Sequence, residues 1–127
     1  MVALMPQGTI PRGRAFFDPV LRGRPGAARL AAATGAPVIP VGMWGTEAVW
    51  PRSSQLPNVG NVVHPPTVRV RVGPPVSGLG RGDDEDTATI MRAIGALLPP
   101  EASRRREPSE AELVRTYPKG KVGEERG

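Results

Sequence analysis

The sequence lacks cysteine altogether, has a single histidine and has few aromatic side chains, which make up 4% of its 127 residues. Without cysteine there is no disulfide framework, no thiolate nucleophile and no cysteine-based metal site. No apolar run approaches the roughly 20 residues that a membrane-spanning helix needs, and the first residues lack the basic stretch and long apolar region of a signal peptide. We therefore expect a thin aliphatic core and, at a membrane, peripheral contact by this chain.

Positive charge is concentrated in the first two thirds of the chain. The sequence carries 17 Lys and Arg against 12 Asp and Glu, a net charge of +5. Residues 1–82 hold nine arginines and two acids, whereas residues 83–127 hold eight basic and ten acidic residues. Such a basic region attracts anionic substrates, anionic lipid surfaces or nucleic acid, and charge alone does not distinguish among these partners.

The N-terminal stretch organises the rest of the chain. Four apolar residues over 2–5 predict a buried strand, and they break into a loop over 6–13 that contains two prolines, two glycines, Thr9 and Arg12. Backbone N–H groups, the hydroxyl and the guanidinium can converge there on one anion, for which phosphate is the natural candidate. An ordinary surface turn is the equally open alternative.

A helix and a second strand are predicted next. Pro25 suits the first turn of a helix, the following alanines favour its interior and Gly35 is a natural stop, so we predict a helix over 25–34. Its positive N-terminal end would face the loop, with Arg24 nearby. The apolar run over 38–43 predicts a short strand, and a helix between two strands favours an α/β sheet with parallel neighbours.

The second half of the chain contains one clear strand and one clear helix. Prolines rule out regular structure over most of 51–67, while alternating valines and arginines over 67–73 predict a strand with its valines on one face. Four acids open a predicted helix over 83–98, where they complement the helix dipole; a metal site is the alternative. Residues 99–127 are predicted to form a charged, largely disordered tail, with one short helix started by a capping box of Ser109 and Glu112.

Three blocks of the sequence, in order, resemble the PlsC-like glycerolipid acyltransferases, whose best known members are the 1-acyl-sn-glycerol-3-phosphate acyltransferases. The blocks are Met5-Pro6-Gln7-Gly8-Thr9, Arg24-Pro25-Gly26-Ala27-Ala28-Arg29-Leu30-Ala31 and Ala36-Pro37-Val38-Ile39-Pro40-Val41-Gly42-Met43-Trp44-Gly45. The resemblance covers residues 2–98. It implies that residues 1–98 are the C-terminal half of an acyltransferase domain, an α/β fold with a partial open sheet and crossover helices.

The resemblance also implies a substrate, a co-substrate and a location. The acceptor would be a lysophospholipid, by default lysophosphatidate, and the donor an acyl-CoA or acyl carrier protein thioester, with no bound cofactor or metal. The protein would work at the anionic, cytoplasmic face of a membrane as a peripheral protein in phospholipid biosynthesis. Acceptor identity is open, because Gln7 and Ile10 stand where the family has Glu and Arg. The implied substrate-binding residues are Gln7, Gly8, Thr9, Arg12 and Arg24.

The catalytic pair of the family has no counterpart in this chain. Acyl transfer in the family depends on a histidine followed five positions later by aspartate, upstream of the Gly-Thr block, where the histidine acts as general base. Here the single histidine is His64, downstream in a proline-rich loop, and position 69 is Arg69. We therefore expect no catalytic residue in this chain, an N-terminal half of the domain supplied elsewhere, and an inactive fragment of a 1-acylglycerol-3-phosphate O-acyltransferase.

A small basic nucleic-acid-binding module is the alternative function. The predicted strand over 67–73 carries no stacking aromatic, and the sequence has no helix-turn-helix, zinc or RNA-binding pattern. We therefore expect no nucleic-acid partner.

The missing base predicts that the 127-residue chain alone does not transfer acyl groups, because general-base assistance is typically worth about 10²- to 10⁴-fold. The measurement is thioester consumption in the presence of lysophosphatidate, with His64→Ala as the companion variant. Turnover by the chain that this substitution abolishes would show His64 to be the base.

Overall fold

The computed structural model describes residues 1–51, 54, 56–58, 60, 62–104 and 107–117. Within these residues the chain forms four α-helices and two β-strands, with short 3₁₀ turns at Gly13–Phe17 and Pro100–Ser103. In chain order the regular elements are α1 (Gly26–Thr34), β1 (Val41–Trp44), α2 (Thr46–Val49), β2 (Arg69–Val72), α3 (Asp83–Gly95) and α4 (Glu110–Arg115).

The chain divides into two compact units, and each is made of three separate stretches of sequence. The first unit comprises Met1–Thr9, Pro19–Gly42 and Val70–Arg104. The second comprises Ile10–Asp18, Met43–Arg69 and Arg105–Gly127. Residues that are adjacent in sequence, such as Thr9 and Ile10, therefore belong to different units.

The fold is mixed α/β, as predicted, but its sheet differs from the expected one. Residues 2–5 are exposed and form no strand, and the sheet is an antiparallel pair of β1 and β2. Beyond β1, Gly73 N–H donates to the Pro40 carbonyl at 3.0 Å and Val76 N–H to the Val38 carbonyl at 2.9 Å. Both bonds run from the later segment to the earlier one, and Pro40 cannot donate in return because proline has no N–H. The prediction of a strand over 2–5 with a parallel neighbour is wrong.

The strand predicted from alternating valines and arginines forms over Arg69–Val72, but its valine face is not buried. Val70 is 56% exposed and Val72 is 66% exposed. Alternation predicts the extended backbone correctly, whereas burial needs another layer packed on the valine face.

The core of the first unit lies where α1 contacts α3. Ala28 of α1 and the α3 residues Ile90 and Met91 are buried. Gly23 precedes α1 at a point where an added Cβ would lie 2.8 Å from Met91 Cγ, so only glycine fits without displacement. An exposed ion pair also joins the helices, from Arg29 Nε to Asp83 Oδ2 at 2.5 Å, and this hydrogen bond raises the pKa of Arg29.

The ends of α1 and α3 follow local sequence signals. Gly35 adopts φ +65° after α1 and donates its N–H to the Ala31 carbonyl at 2.8 Å, as expected of a glycine stop. The helix predicted over 83–98 ends as α3 at Gly95 and continues in turns, with Leu97 N–H bonded to the Ile94 carbonyl. Both helices are confirmed, with α3 three residues shorter than predicted.

One of the four acids at the start of α3 is buried. Asp86 is 4% exposed, and its two carboxylate oxygens accept the N–H groups of Gly80 at 2.8 Å and Arg81 at 3.1 Å. In the described stretches no group of three acidic or histidine side chains is placed to hold a metal ion. Asp86 therefore ties the glycine-rich loop before α3 to the first turn of the helix.

In the second unit, α4 contacts the 3₁₀ turn at Gly13–Phe17. Gly13 is buried and donates its N–H to Thr116 Oγ1 at 2.7 Å. The predicted capping box is confirmed, since Ser109 Oγ accepts the Glu112 N–H at 3.4 Å and the Glu112 carboxylate accepts the Ser109 N–H at 2.9 Å. Of the charged, largely disordered tail predicted over 99–127, residues 105, 106 and 118–127 lie outside the described residues, and the disorder stays a prediction.

The buried Asp86 carboxylate yields a stability prediction. Asp86→Ala leaves two backbone N–H groups without acceptors, which should lower the free energy of unfolding by about 1–3 kcal/mol. Asp84→Ala is the matched control, because Asp84 also lies in the first turn of α3 but is exposed, and its loss should cost about 0.3–1 kcal/mol. Urea denaturation measures both, and equal losses would contradict the role assigned to Asp86.

Candidate anion-binding cleft

A tight turn at residues 5–8 places the N-terminal segment beside the start of α1. Gly8 N–H donates to the Met5 carbonyl at 2.9 Å, and Gly8 adopts φ +67°, a conformation that favours glycine. The Pro6 carbonyl accepts the Arg24 N–H at 2.7 Å. This bond anchors the turn to the residue that lies two positions before α1.

The turn and α1 enclose a cleft of about 300 Å³ within the first unit. Its walls are predominantly apolar, and Arg24 supplies the one charged side chain among the lining residues. The lining residues are Leu4, Met5, Pro6, Gly8, Arg24, Gly26, Ala27 and Leu30. Sites for small molecules are mostly apolar, with a few polar groups that fix the orientation of the ligand.

Arg24 lies across the turn because residue 8 is glycine. An added Cβ at Gly8 would lie 3.0 Å from Arg24 Cδ and 3.3 Å from Arg24 Nε. The Arg24 side chain is exposed, and in the parts of the chain that the structure describes the two salt bridges are made by Arg14 and Arg29. The guanidinium of Arg24 is therefore available to an anion in the cleft.

The first turn of α1 adds hydrogen-bond donors to the same cleft. Pro25 occupies the N-cap position, no side chain caps the helix and its first turn holds no acid. The first N–H groups of a helix have no acceptor within the helix, and the helix dipole makes this end positive. Gly26 and Ala27 of this turn are among the residues that line the cleft. The cleft therefore combines a positive helix end with a guanidinium.

The structure brings together some of the predicted substrate-binding residues. Gly8 and Arg24 line one cleft, whereas Gln7 lies in the turn and Thr9 follows it, and neither is among the residues that line the cleft. Arg12 belongs to the second unit. Roles for Gln7, Thr9 and Arg12 in acceptor binding stay predictions.

Sequence reasoning missed the apolar wall of the cleft. The sequence predicts Leu4 and Met5 in a buried strand and Leu30 in a helix, and neither prediction indicates a cleft wall. The available signal was an apolar run immediately before a Pro-Gly turn. Whether such a run lines a cleft depends on the position of α1, and α1 begins about twenty residues later in the sequence.

Arg12 has an unusual environment in the second unit. Its Nη1 atom is buried, and it has no hydrogen-bond partner in the described chain. A buried charged donor without an acceptor is costly, and an anion would satisfy it. The role of Arg12 as a phosphate ligand stays a prediction.

The buried Nη1 predicts that inorganic phosphate stabilises the chain through Arg12. At a phosphate concentration 100 times Kd, one site adds about 2.7 kcal/mol to the free energy of unfolding. Arg12→Met should lose most of this gain, while Arg14→Met should keep it, because Arg14 is exposed and paired with Glu107 at 3.3 Å. Thermal melts at constant ionic strength measure the effect. Equal gains in the wild type and in Arg12→Met would remove Arg12 from the candidates.

Across the described ranges, no helix has both the length and the apolar character to cross a bilayer. His64 is exposed in the loop between α2 and β2. No protein-family model, no curated protein and no solved structure matches this chain.

Proposed function

We propose that the chain is the acceptor-binding part of a glycerolipid acyltransferase, and that the cleft holds a lysophospholipid such as lysophosphatidate. The observation that supports this proposal is the combination of apolar walls with the Arg24 guanidinium and the uncapped N-terminus of α1. A lysophospholipid has the matching chemistry, since an anionic phosphate is joined through glycerol to a hydrocarbon chain.

In this proposal the two ends of the ligand meet different parts of the cleft. The phosphate accepts hydrogen bonds from Arg24 and from the first N–H groups of α1, and a hydrogen bond to a charged group is worth about 1.5–3 kcal/mol. The hydrocarbon next to the glycerol packs on Leu4, Met5 and Leu30, where each buried methylene contributes about 0.8 kcal/mol.

The chemistry of transfer needs groups beyond this chain. The acceptor hydroxyl attacks the carbonyl carbon of an acyl-CoA or acyl carrier protein thioester, an ester forms, and the thiol leaves. A general base must take the hydroxyl proton, and the proposal assigns that base to a His/Asp pair in an N-terminal half of the same domain. That half would also extend the sheet into the open sheet with crossover helices, at the cytoplasmic face of the membrane.

Binding measurements with two ligands that differ only in phosphate test the proposal. Arg24→Ala should weaken lysophosphatidate binding by about 10- to 100-fold, because it removes a charge-assisted hydrogen bond. The same substitution should leave binding of the matching monoacylglycerol unchanged. Titration calorimetry below the micelle concentration measures both. Arg22→Ala is the control, since Arg22 is an exposed arginine of the first unit that does not line the cleft.

Two outcomes would contradict the proposal. Equal affinity of the wild type for the two ligands would mean that the cleft does not recognise phosphate. Tight binding of an oligonucleotide at the same salt concentration, without binding of lysophosphatidate, would favour the nucleic-acid-binding alternative.

A further inference from the structure

Backbone hydrogen bonds fix the walls of the cleft beside α1. The Pro6 carbonyl accepts the Arg24 N–H at 2.7 Å, and the Met5 carbonyl accepts the Gly8 N–H at 2.9 Å. These two bonds set the distance between the N-terminal turn and the start of α1. The cleft therefore has a definite volume, about 300 Å³, into which a ligand has to fit.

That volume is small for a complete lysophospholipid. One water molecule takes up about 30 Å³ of the liquid, so the cleft holds roughly ten groups of that size. A phosphate, a glycerol and an ester group fill more than half of this space, which leaves room for roughly four methylenes. The acyl chain of a membrane lipid is longer than this, because it has to reach across half of a hydrocarbon core about 30 Å thick.

The apolar wall that α1 contributes is equally short. Its lining residues begin at Gly26 and end at Leu30, and this part of an α-helix rises about 6 Å along the axis. Ala27 and Leu30 are three residues apart, so both lie on the face of α1 that borders the cleft. Arg24 precedes this wall. A ligand whose phosphate contacts Arg24 therefore places only the first few carbons of its acyl chain against Leu30.

The three large apolar side chains of the cleft are partly in solvent. Leu4 is 50% exposed, Met5 is 75% exposed and Leu30 is 41% exposed. Contact with the first carbons of an acyl chain removes some of this apolar area from water, which stabilises the complex. A wall that is this exposed can bind a few carbons without enclosing a long chain.

We propose that the cleft recognises a lysophosphatidate by its phosphate, its glycerol and the first few carbons of its acyl chain, and that the rest of the chain stays outside. The substrate class is then the monoacylglycerol phosphates as a group, whatever the length of the acyl chain. This inference rests on the proposed function and adds to it a limit on the part of the acceptor that the cleft contacts.

A series of lysophosphatidates that differ only in acyl length tests this limit on the full chain. Affinity should rise from glycerol phosphate to the hexanoyl ester and should then stay constant through the octanoyl and decanoyl esters. A chain bound along its whole length would instead gain about fourfold for each added methylene, the factor that corresponds to about 0.8 kcal/mol. Titration calorimetry below the micelle concentration measures the series. A continued rise of that size from hexanoyl to decanoyl would overturn the proposal.

A variant of the apolar wall gives a second measurement. Leu30→Ala should weaken binding of the hexanoyl ester by about fivefold, the effect of withdrawing about half of a leucine side chain from apolar contact. It should leave binding of glycerol phosphate unchanged. Ile39→Ala is the matched control, because Ile39 is a similarly exposed aliphatic residue of the first unit that does not line the cleft. Equal affinities of Leu30→Ala and the wild type for the hexanoyl ester would overturn the proposal.

The outcomes of the series separate this inference from the proposed function. Failure of every ester to bind would overturn both. Binding of every ester, with an affinity that grows at each added methylene, would overturn the length limit and leave the acceptor cleft intact. Glycerol phosphate that binds as tightly as the hexanoyl ester would show that the cleft contacts no hydrocarbon, which would overturn the inference and leave phosphate recognition intact.

Discussion

The contact between α1 and α3 is the interaction on which the first unit depends. It buries Ala28 on one side and Ile90 and Met91 on the other, and the small alanine lets the two helices approach closely. Gly23 is needed for the same approach, because any side chain there would meet α3. By determining where α1 begins, this contact also determines where Arg24 lies, and the Pro6 carbonyl then holds the N-terminal turn against it.

The scarcity of aromatic residues has a structural counterpart. Every aromatic residue of the chain lies in the second unit. The core of the first unit therefore consists of small and aliphatic side chains alone. Such a core is thin, and much apolar surface remains exposed, including the valines of β2 and the walls of the cleft. The same composition thus explains both the modest packing of the first unit and its capacity to offer an apolar site.

The candidate site shows which of its residues the sequence can predict and which it cannot. Gly8 and Arg24 were singled out from a resemblance, and they do line one cleft, because a positive-φ glycine and a residue just ahead of a helix are local features. The loop over 6–13 and the resemblance also predict Arg12 as a ligand-binding residue, yet Arg12 belongs to the second unit. Sequence spacing does not report which unit a residue joins, since each unit is assembled from three separate stretches of the chain.

What the sequence by itself determined is the set of elements that carry their own stop and start signals. Gly35 ends α1, the Ser109 capping box begins α4, and alternation predicts β2, because each signal acts through neighbours within a few residues. Only the tertiary structure decided that Leu4 and Met5 line a cleft instead of forming a strand, that β1 and β2 run antiparallel, and that Asp86 anchors a loop. Those outcomes depend on partners that the chain brings together only when it folds.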